Sequence, residues 1–222
     1  MATVMTHFAS DINIPVDQVA RYAGIKSTDI PSNVATLIDK CTPLISNAAK
    51  YKACYLEVPV SISGNVIDFD CFKVESNNLT TLLKGCDKAI LVAATIGIEV
   101  DMLIKRAEVT SKAEALILNS IAIAGIEKYM FILNDFFKKQ YEGYELRPRF
   151  SPGYGDVPLQ HQTELLNVLD SKRKIGVALN DSLLMTPSKS VTAIIGLGKS
   201  GCMHIDIDCE LCGKRDCEYR LA

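Results

Sequence analysis

Two groups of residues carry side-chain types and spacings that could do chemistry. The first is a short stretch holding Arg147, Arg149, Ser151, Pro152, Gly153 and Tyr154. A guanidinium fork grips a carboxylate through two charge-assisted hydrogen bonds, glycine lets backbone approach a ligand closely, and tyrosine adds a flat face with a hydroxyl. Together they suit a zwitterionic small molecule with an aromatic portion. The plain alternative is an exposed connector whose arginines pair with Glu142 or Glu145, because surface ion pairs are common.

The second group is Cys202, Cys209, Cys212 and Cys217, spaced C-x6-C-x2-C-x4-C. A C-x2-C turn directs two thiolates at one metal, and the other two cysteines would complete a four-sulfur site for zinc or an iron-sulfur cluster. His204 is a substitute ligand. Redox thiols and inert structural thiols are the alternatives. Cys41, Cys54, Cys71 and Cys86 are scattered and form no such pattern. His7 and His161 have no partner identifiable by spacing, and neither an H-E-x-x-H pattern nor a nucleophile elbow occurs, so no catalytic side chain is assigned. The run Ala193 to Ser200 imitates a phosphate loop, but alanine replaces its first glycine and GCMHIDIDC does not open a helix.

The elements that must position these groups are set by composition and periodicity. The chain has 222 residues, 48% hydrophobic and 23% charged, enough for one large or two small globular domains. A net charge of -2 offers no basic surface for nucleic acid. The N-terminus lacks the basic and apolar regions of a secretory signal, which predicts a cytoplasmic protein. The most apolar window, Ala115 to Ile126, falls short of the roughly 20 residues of a membrane span, and reads as a buried helix.

Proline-opened segments at Pro15 and Pro31 predict a helical lobe over residues 1–50. CYLEVPV, NVIDFD and CFKV predict a small antiparallel meander around the turn SISGN. Ser76 should cap a helix to Lys84, KAILVAATIG should form a buried strand, and helices should follow over Glu99 to Glu108 and Lys112 to Lys139. The segment from Tyr141 to Gln162 holds three prolines and three glycines and must be irregular; loops that long are usually functional or disordered. A helix to Leu169, a strand at KIGVAL, a turn at MTPSKS and a strand at VTAIIGL complete the reading. Helices and antiparallel strands in blocks predict an α+β fold, a mostly antiparallel twisted sheet flanked by helices. The core spans 51–200 and a cysteine-rich tail spans 201–222, the whole forming one compact unit.

Arg149-Phe-Ser-Pro-Gly-Tyr154, followed in order by Pro158, Thr163-Glu164, Ile175-Gly176-Val177, Ser182, Met185, Pro187 and Ser190-Val191, resembles the activation (reactivation) domain of cobalamin-dependent methionine synthase. The family pattern is R-x-x-PGY, a proline, TE, a leucine-rich helix, (I/T)G-x-x-L, ES-x-x-M-x-P and SV. AATIGIEVDMLI and the helix through Gly125-Ile-Glu127 look like free-standing, single-domain relatives.

The resemblance implies that the chain binds S-adenosylmethionine and supplies it to oxidised cobalamin, whose one-electron reduction is trapped by methyl transfer. Carried over, Arg149 would hold the ligand carboxylate, Ser151 would offer backbone hydrogen bonds, and Pro152, Gly153 and Tyr154 would wall the site. Glu145 is the candidate for the family's acidic residue before the arginine, with Glu142 second. No D-x-H-x-x-G cobalamin motif occurs, so the implied partner is a cobalamin-binding methionine synthase subunit or corrinoid protein. The chain would be one component of a methyltransferase system for methionine biosynthesis, incomplete as a catalyst by itself and served by a flavodoxin- or ferredoxin-type electron donor. The cysteine tail departs from the fused domain and suits an electron relay. Two rival readings are an iron-sulfur reductive activator of other corrinoid proteins and a non-catalytic zinc-binding adaptor.

Overall fold

The computed structural model describes residues 1–8, 12–25 and 30–199. The chain opens with strand β1 (Thr3–His7), helices α1 (Val16–Tyr22) and α2 (Ser32–Ala48), and strands β2 (Tyr51–Pro59), β3 (Ser61–Ser63), β4 (Val66–Asp68) and β5 (Lys73–Glu75). Helix α3 (Asn77–Leu82), strand β6 (Cys86–Thr95), helices α4 (Ile98–Thr110) and α5 (Lys112–Gln140) and strand β7 (Tyr144–Leu146) follow. Helices α6 (His161–Leu169) and α7 (Ser171–Ile175) and strands β8 (Ala178–Leu179), β9 (Met185–Thr186) and β10 (Ser190–Lys199) complete the order.

A five-stranded antiparallel sheet, ordered β1-β2-β6-β10-β7, forms the middle layer. Side chains leave a strand alternately to its two faces. In β6, Ile90, Val92 and Ala94 therefore enter one core, whereas Ala89, Leu91 and Ala93 enter the other. The first core is roofed by α1, α2, α4 and α5, and the second by α3, α6, α7 and the three-stranded sheet β3-β4-β5. Burial on both faces explains why β6 reads as an unbroken apolar run rather than an alternating one. Each large aliphatic buried there stabilises the fold by about 1.5 to 3 kcal/mol.

The fold is thus the α+β architecture expected, with three local differences. The first residues, placed by sequence in the helical lobe, instead form β1 and pair with β2 from Thr3↔Tyr55 to His7↔Tyr51. An edge strand packs against a single neighbour, and the mixed burial of TVMTH leaves only a weak pattern. CYLEVPV is not part of the meander but becomes β2 of the large sheet, while Ser61–Ser63, read as a turn, supplies the first strand of the small sheet. KIGVAL divides between α7 and the two-residue β8, because the basic run before it favours helix and Gly176, at φ 76°, closes that helix in the left-handed region.

Helix α5 is the main wall of the first core. By length and composition it could cross a membrane, but Ile117, Leu118, Ile121, Tyr129, Met130, Leu133 and Phe137 are buried against the sheet and its neighbouring helices. Ser111 caps its start by accepting a hydrogen bond from the Glu114 amide. Tyr51 and Tyr129 meet edge to face with ring centroids 5.3 Å apart, and His7 Nδ1 lies 3.3 Å from the Tyr129 hydroxyl. Gly125 makes room for this cluster, since a Cβ there would stand 2.8 Å from the Tyr51 hydroxyl.

Gly125→Ala should gain about 1 kcal/mol of helix propensity yet lower the thermal midpoint, because overpacking a rigid core costs about 1 to 3 kcal/mol. A raised midpoint would show that Tyr51 moves aside freely. Burial pushes the Tyr51 phenol from 10.0 up to about 12, so the folded state favours its neutral form. That contribution is complete below pH 10.0 and is lost as the pH climbs toward about 12. Urea midpoints across this window should therefore fall more steeply in the wild type than in Tyr51→Phe.

Candidate functional site

The arginine loop begins at the outer edge of the large sheet. Leu146 pairs with Leu197, and the Arg147 amide donates to the Gly196 carbonyl at 2.8 Å. Continued without interruption, that register would bring Arg149 opposite Ile194. Instead Phe150 takes that place, exchanging both backbone hydrogen bonds with Ile194 at 3.0 and 2.7 Å. One extra residue has entered the outer strand, at Pro148, which has no N–H to offer a ladder.

A one-residue insertion reverses which face each following side chain meets. Arg147, ahead of the insertion, keeps the register of Gly196 and enters the second core. It is only 3% exposed, its Nη2 donates to the Lys84 carbonyl at 3.3 Å, and its side chain lies over Gly196 and Gly198. A Cβ on Gly196 would stand 2.6 Å from Leu83 and 3.0 Å from Arg147 Cγ, so these glycines serve packing inside β10. The phosphate-loop imitation is accordingly a paired strand as far as Lys199.

Arg149 turns the other way, onto α5. Its Nη2 donates to Glu127 Oε2 at 3.2 Å, and its guanidinium stacks 5.4 Å from the centroid of the Phe131 ring. Glu127 and Phe131 are four residues apart and so share a helix face. The ion pair is partly open to solvent, with side-chain exposures of 26% for Arg149 and 35% for Glu127. Phe131 is 55% exposed, unusual for a phenylalanine on the helix that walls the core.

The following residues are held tightly. Ser151 Oγ donates to the Thr192 carbonyl at 2.6 Å, and Pro152 is buried. The Tyr154 amide closes a turn onto the Ser151 carbonyl, and Gly153, at φ 91°, donates its amide to Val157. That left-handed conformation is the reason for a glycine here. Tyr154 leaves 61% of its surface exposed, with its ring 6.2 Å from that of Phe150. Asp156 reaches across to α3, where its carboxylate accepts from the Ser76 hydroxyl and from the Asn77 amide at 2.7 Å. The Ser76 hydroxyl, seconded by the Asn77 and Asn78 amides, holds the Asp156 carboxyl below the usual carboxylate range. A separate cleft of about 290 Å³, lined by Thr163, Leu166, Asn167, Asp170, Val177 and Leu179 among others, contains none of the arginine-loop residues.

Arg149, Ser151, Pro152, Gly153 and Tyr154 thus stand in one continuous segment running from α5 over the sheet edge. Glu145 lies on β7 opposite Gly198, with one buried carboxylate oxygen that has no hydrogen-bond partner among the described residues, while the acid beside Arg149 is Glu127. Glu142 is exposed. Sequence pattern does not single out Glu127 and Phe131 because they lie about twenty positions upstream of Arg149; their signal is an acid and a phenylalanine at i and i+4 on one helix face.

Cys202, Cys209, Cys212, Cys217 and His204 lie outside the described residues. Among the described residues, no group of three or more histidine, cysteine, aspartate or glutamate side chains is arranged to hold a metal. Cys41, Cys54 and Cys86 are buried and Cys71 is exposed. Burial pushes the Cys54 thiol up to about 11, which suits an inert core residue.

The arrangement at Arg149 offers a guanidinium and a carboxylate side by side against a half-buried aromatic ring. Such a pair complements an amino-acid zwitterion, since the guanidinium can take a carboxylate and the carboxylate an ammonium group.

Residues 126–202 match the family described as the vitamin B12 dependent methionine synthase activation domain. Among solved structures, one described as the MetH reactivation domain bound to AdoHcy superposes with a TM-score of 0.71, covering 92% of this chain and 80% of that chain at 13% sequence identity. That likeness shows a shared fold. No curated protein matches the chain. The family match begins one residue before Glu127 and includes the whole arginine loop.

Proposed function

We propose that this chain, which carries the activation-domain pattern of vitamin B12-dependent methionine synthase over residues 126–202 on a reactivation-domain fold, binds S-adenosylmethionine for the remethylation of oxidised cobalamin on a partner. The observation that carries the reading is the partly exposed Arg149–Glu127 pair, with Arg149 two residues ahead of Ser151 in the chain. Arg149 takes the ligand carboxylate and Glu127 its ammonium group. Ser151 contributes backbone hydrogen bonds, and Pro152, Gly153 and Tyr154 wall the bound molecule. The reactivation domain of similar fold is one bound to AdoHcy, the demethylated counterpart of the proposed ligand, which supports the choice.

When bound, S-adenosylmethionine supplies a methyl group. The S–CH₃ bonding pair stays with sulfur, leaving S-adenosylhomocysteine, and the methyl passes to cobalamin that has received one electron from a flavodoxin- or ferredoxin-type donor. The protein's contribution is proximity: it holds the sulfonium where a cobalamin-binding subunit or corrinoid protein can present its cobalt, and no side-chain nucleophile takes part. In this reading the chain acts as a stand-alone reactivation component.

A second reading rests on the C-x2-C spacing at Cys209 and Cys212, flanked by Cys202 and Cys217. These thiolates bind zinc or an iron-sulfur cluster, and a cluster would relay the electron toward cobalamin.

Calorimetric titration of anaerobically purified protein with S-adenosylmethionine should show binding, weakened in Arg149→Ala by about 1.5 to 3 kcal/mol, the worth of a charge-assisted hydrogen bond. Glu127→Gln should weaken the same ligand, and decarboxylated S-adenosylmethionine should be weakened by Glu127→Gln and indifferent to Arg149→Ala. Absence of heat and of competition by S-adenosylhomocysteine in the wild type would overturn the ligand assignment. Elemental analysis of the full chain should find iron or zinc that disappears when Cys209 and Cys212 are replaced by serine; metal-free protein with freely titrating thiols would end the second reading.

A further inference from the structure

We propose that Asp156 is the positioning residue that sets the shape of the 151–157 loop, acting through α3; its bearing on ligand affinity rests on the reading given above. The loop has few ties to the sheet beyond Ser151, whose hydroxyl donates to the Thr192 carbonyl. Past that point it is braced from one side. The Asp156 carboxylate accepts from the Ser76 hydroxyl, from the Asn77 amide at 2.7 Å and from the Asn78 amide at 3.3 Å. A single carboxylate thereby gathers three donors from a segment almost 80 residues earlier in the chain.

The close approach is also steric. Gly155, at φ 54°, sits in the left-handed region and close against α3, where a Cβ would stand 2.8 Å from Asn78 Nδ2 and 3.3 Å from its Cβ. Val157 is buried in the same core as Leu79 and Leu82 of α3. Gly153 donates to the Val157 carbonyl at 2.9 Å and Val157 to the Tyr154 carbonyl at 3.0 Å, so the residues anchored beside α3 close the turn that presents Gly153 and Tyr154. The anchor is separable from the helix it grips. Ser76 Oγ also accepts from the Leu79 amide at 2.9 Å, and α3 keeps that cap when Asp156 is removed.

The test is amide hydrogen exchange of the ligand-free full chain beside titration with S-adenosylmethionine, in the wild type, Asp156→Ala, Asp156→Asn and the distant helix-cap variant Ser111→Ala. Asp156→Ala should speed exchange at Gly153 and Val157 and weaken ligand binding, each by roughly tenfold, since small misplacements of binding groups are costly. Asp156→Asn retains an acceptor oxygen for Ser76 and should fall between, while the Leu79 amide stays protected. Ser111→Ala should lower the thermal midpoint without either local effect. Unchanged exchange at Gly153 and Val157 in Asp156→Ala would overturn the proposal, as would equal acceleration in Ser111→Ala, which would mark global opening. Wild-type protein that binds no S-adenosylmethionine would sink the ligand reading alone, because the exchange comparison judges the positioning role without ligand.

Discussion

Strand β6 has packed side chains on both faces and a hydrogen-bonded neighbour on each edge, so its amides have no water to turn to and must find partners in β2 and β10. That constraint sets the architecture. A sheet dry on both sides needs two roofs, which are the α1, α2, α4 and α5 layer on one side and the α3, α6, α7 and small-sheet layer on the other. Such a centre tolerates little irregularity, because an offset there would send apolar side chains to the wrong layer. Irregularity gathers at the rim, and the rim is where the candidate site lies.

The extra residue at Pro148 is the clearest case. Arg147 and Arg149 are two positions apart and would share a face in a regular strand. The insertion separates them, burying Arg147 against the Lys84 carbonyl and β10 while directing Arg149 to Glu127 and Phe131. The first arginine becomes part of the packing and the second is left where a solute can reach it. The difference is one of burial: a guanidinium enclosed by core contacts is out of reach of a solute, whereas a partly solvated ion pair is weakly held and can exchange its partner for a ligand group.

The same segment shows how a loop becomes precise without regular structure. Ser151 ties it to β10, Gly153 and Gly155 adopt left-handed turns closed to side chains, and Asp156 fastens it to the start of α3. Tyr154 remains exposed within this frame, and Phe131 is exposed beside the Arg149–Glu127 pair; exposed aromatic surface next to a charged pair is expected of a binding surface more than of a packing one. The family match over residues 126–202 therefore falls on a physically continuous unit, from Glu127 on α5 through the loop to β10.

Local chemistry alone determined much of this protein. Pro15 and Pro31 mark the starts of α1 and α2, Ser76 and Ser111 cap α3 and α5, and the apolar run before Gly97 is the buried β6, because each signal acts within a turn or a strand. The order of residues from Arg149 to Ser190-Val191 likewise carried the family likeness. Tertiary structure decided the remainder. The pairing of β1 with β2 joins residues about fifty positions apart, Glu127 meets Arg149 across more than twenty, and Asp156 meets Ser76 across eighty. No periodicity reports such contacts. The two arginines look equivalent in sequence, and only the register of β7 and Phe150 against β10 makes one structural and the other available, because the face a side chain meets depends on a ladder offset that its own neighbours do not encode.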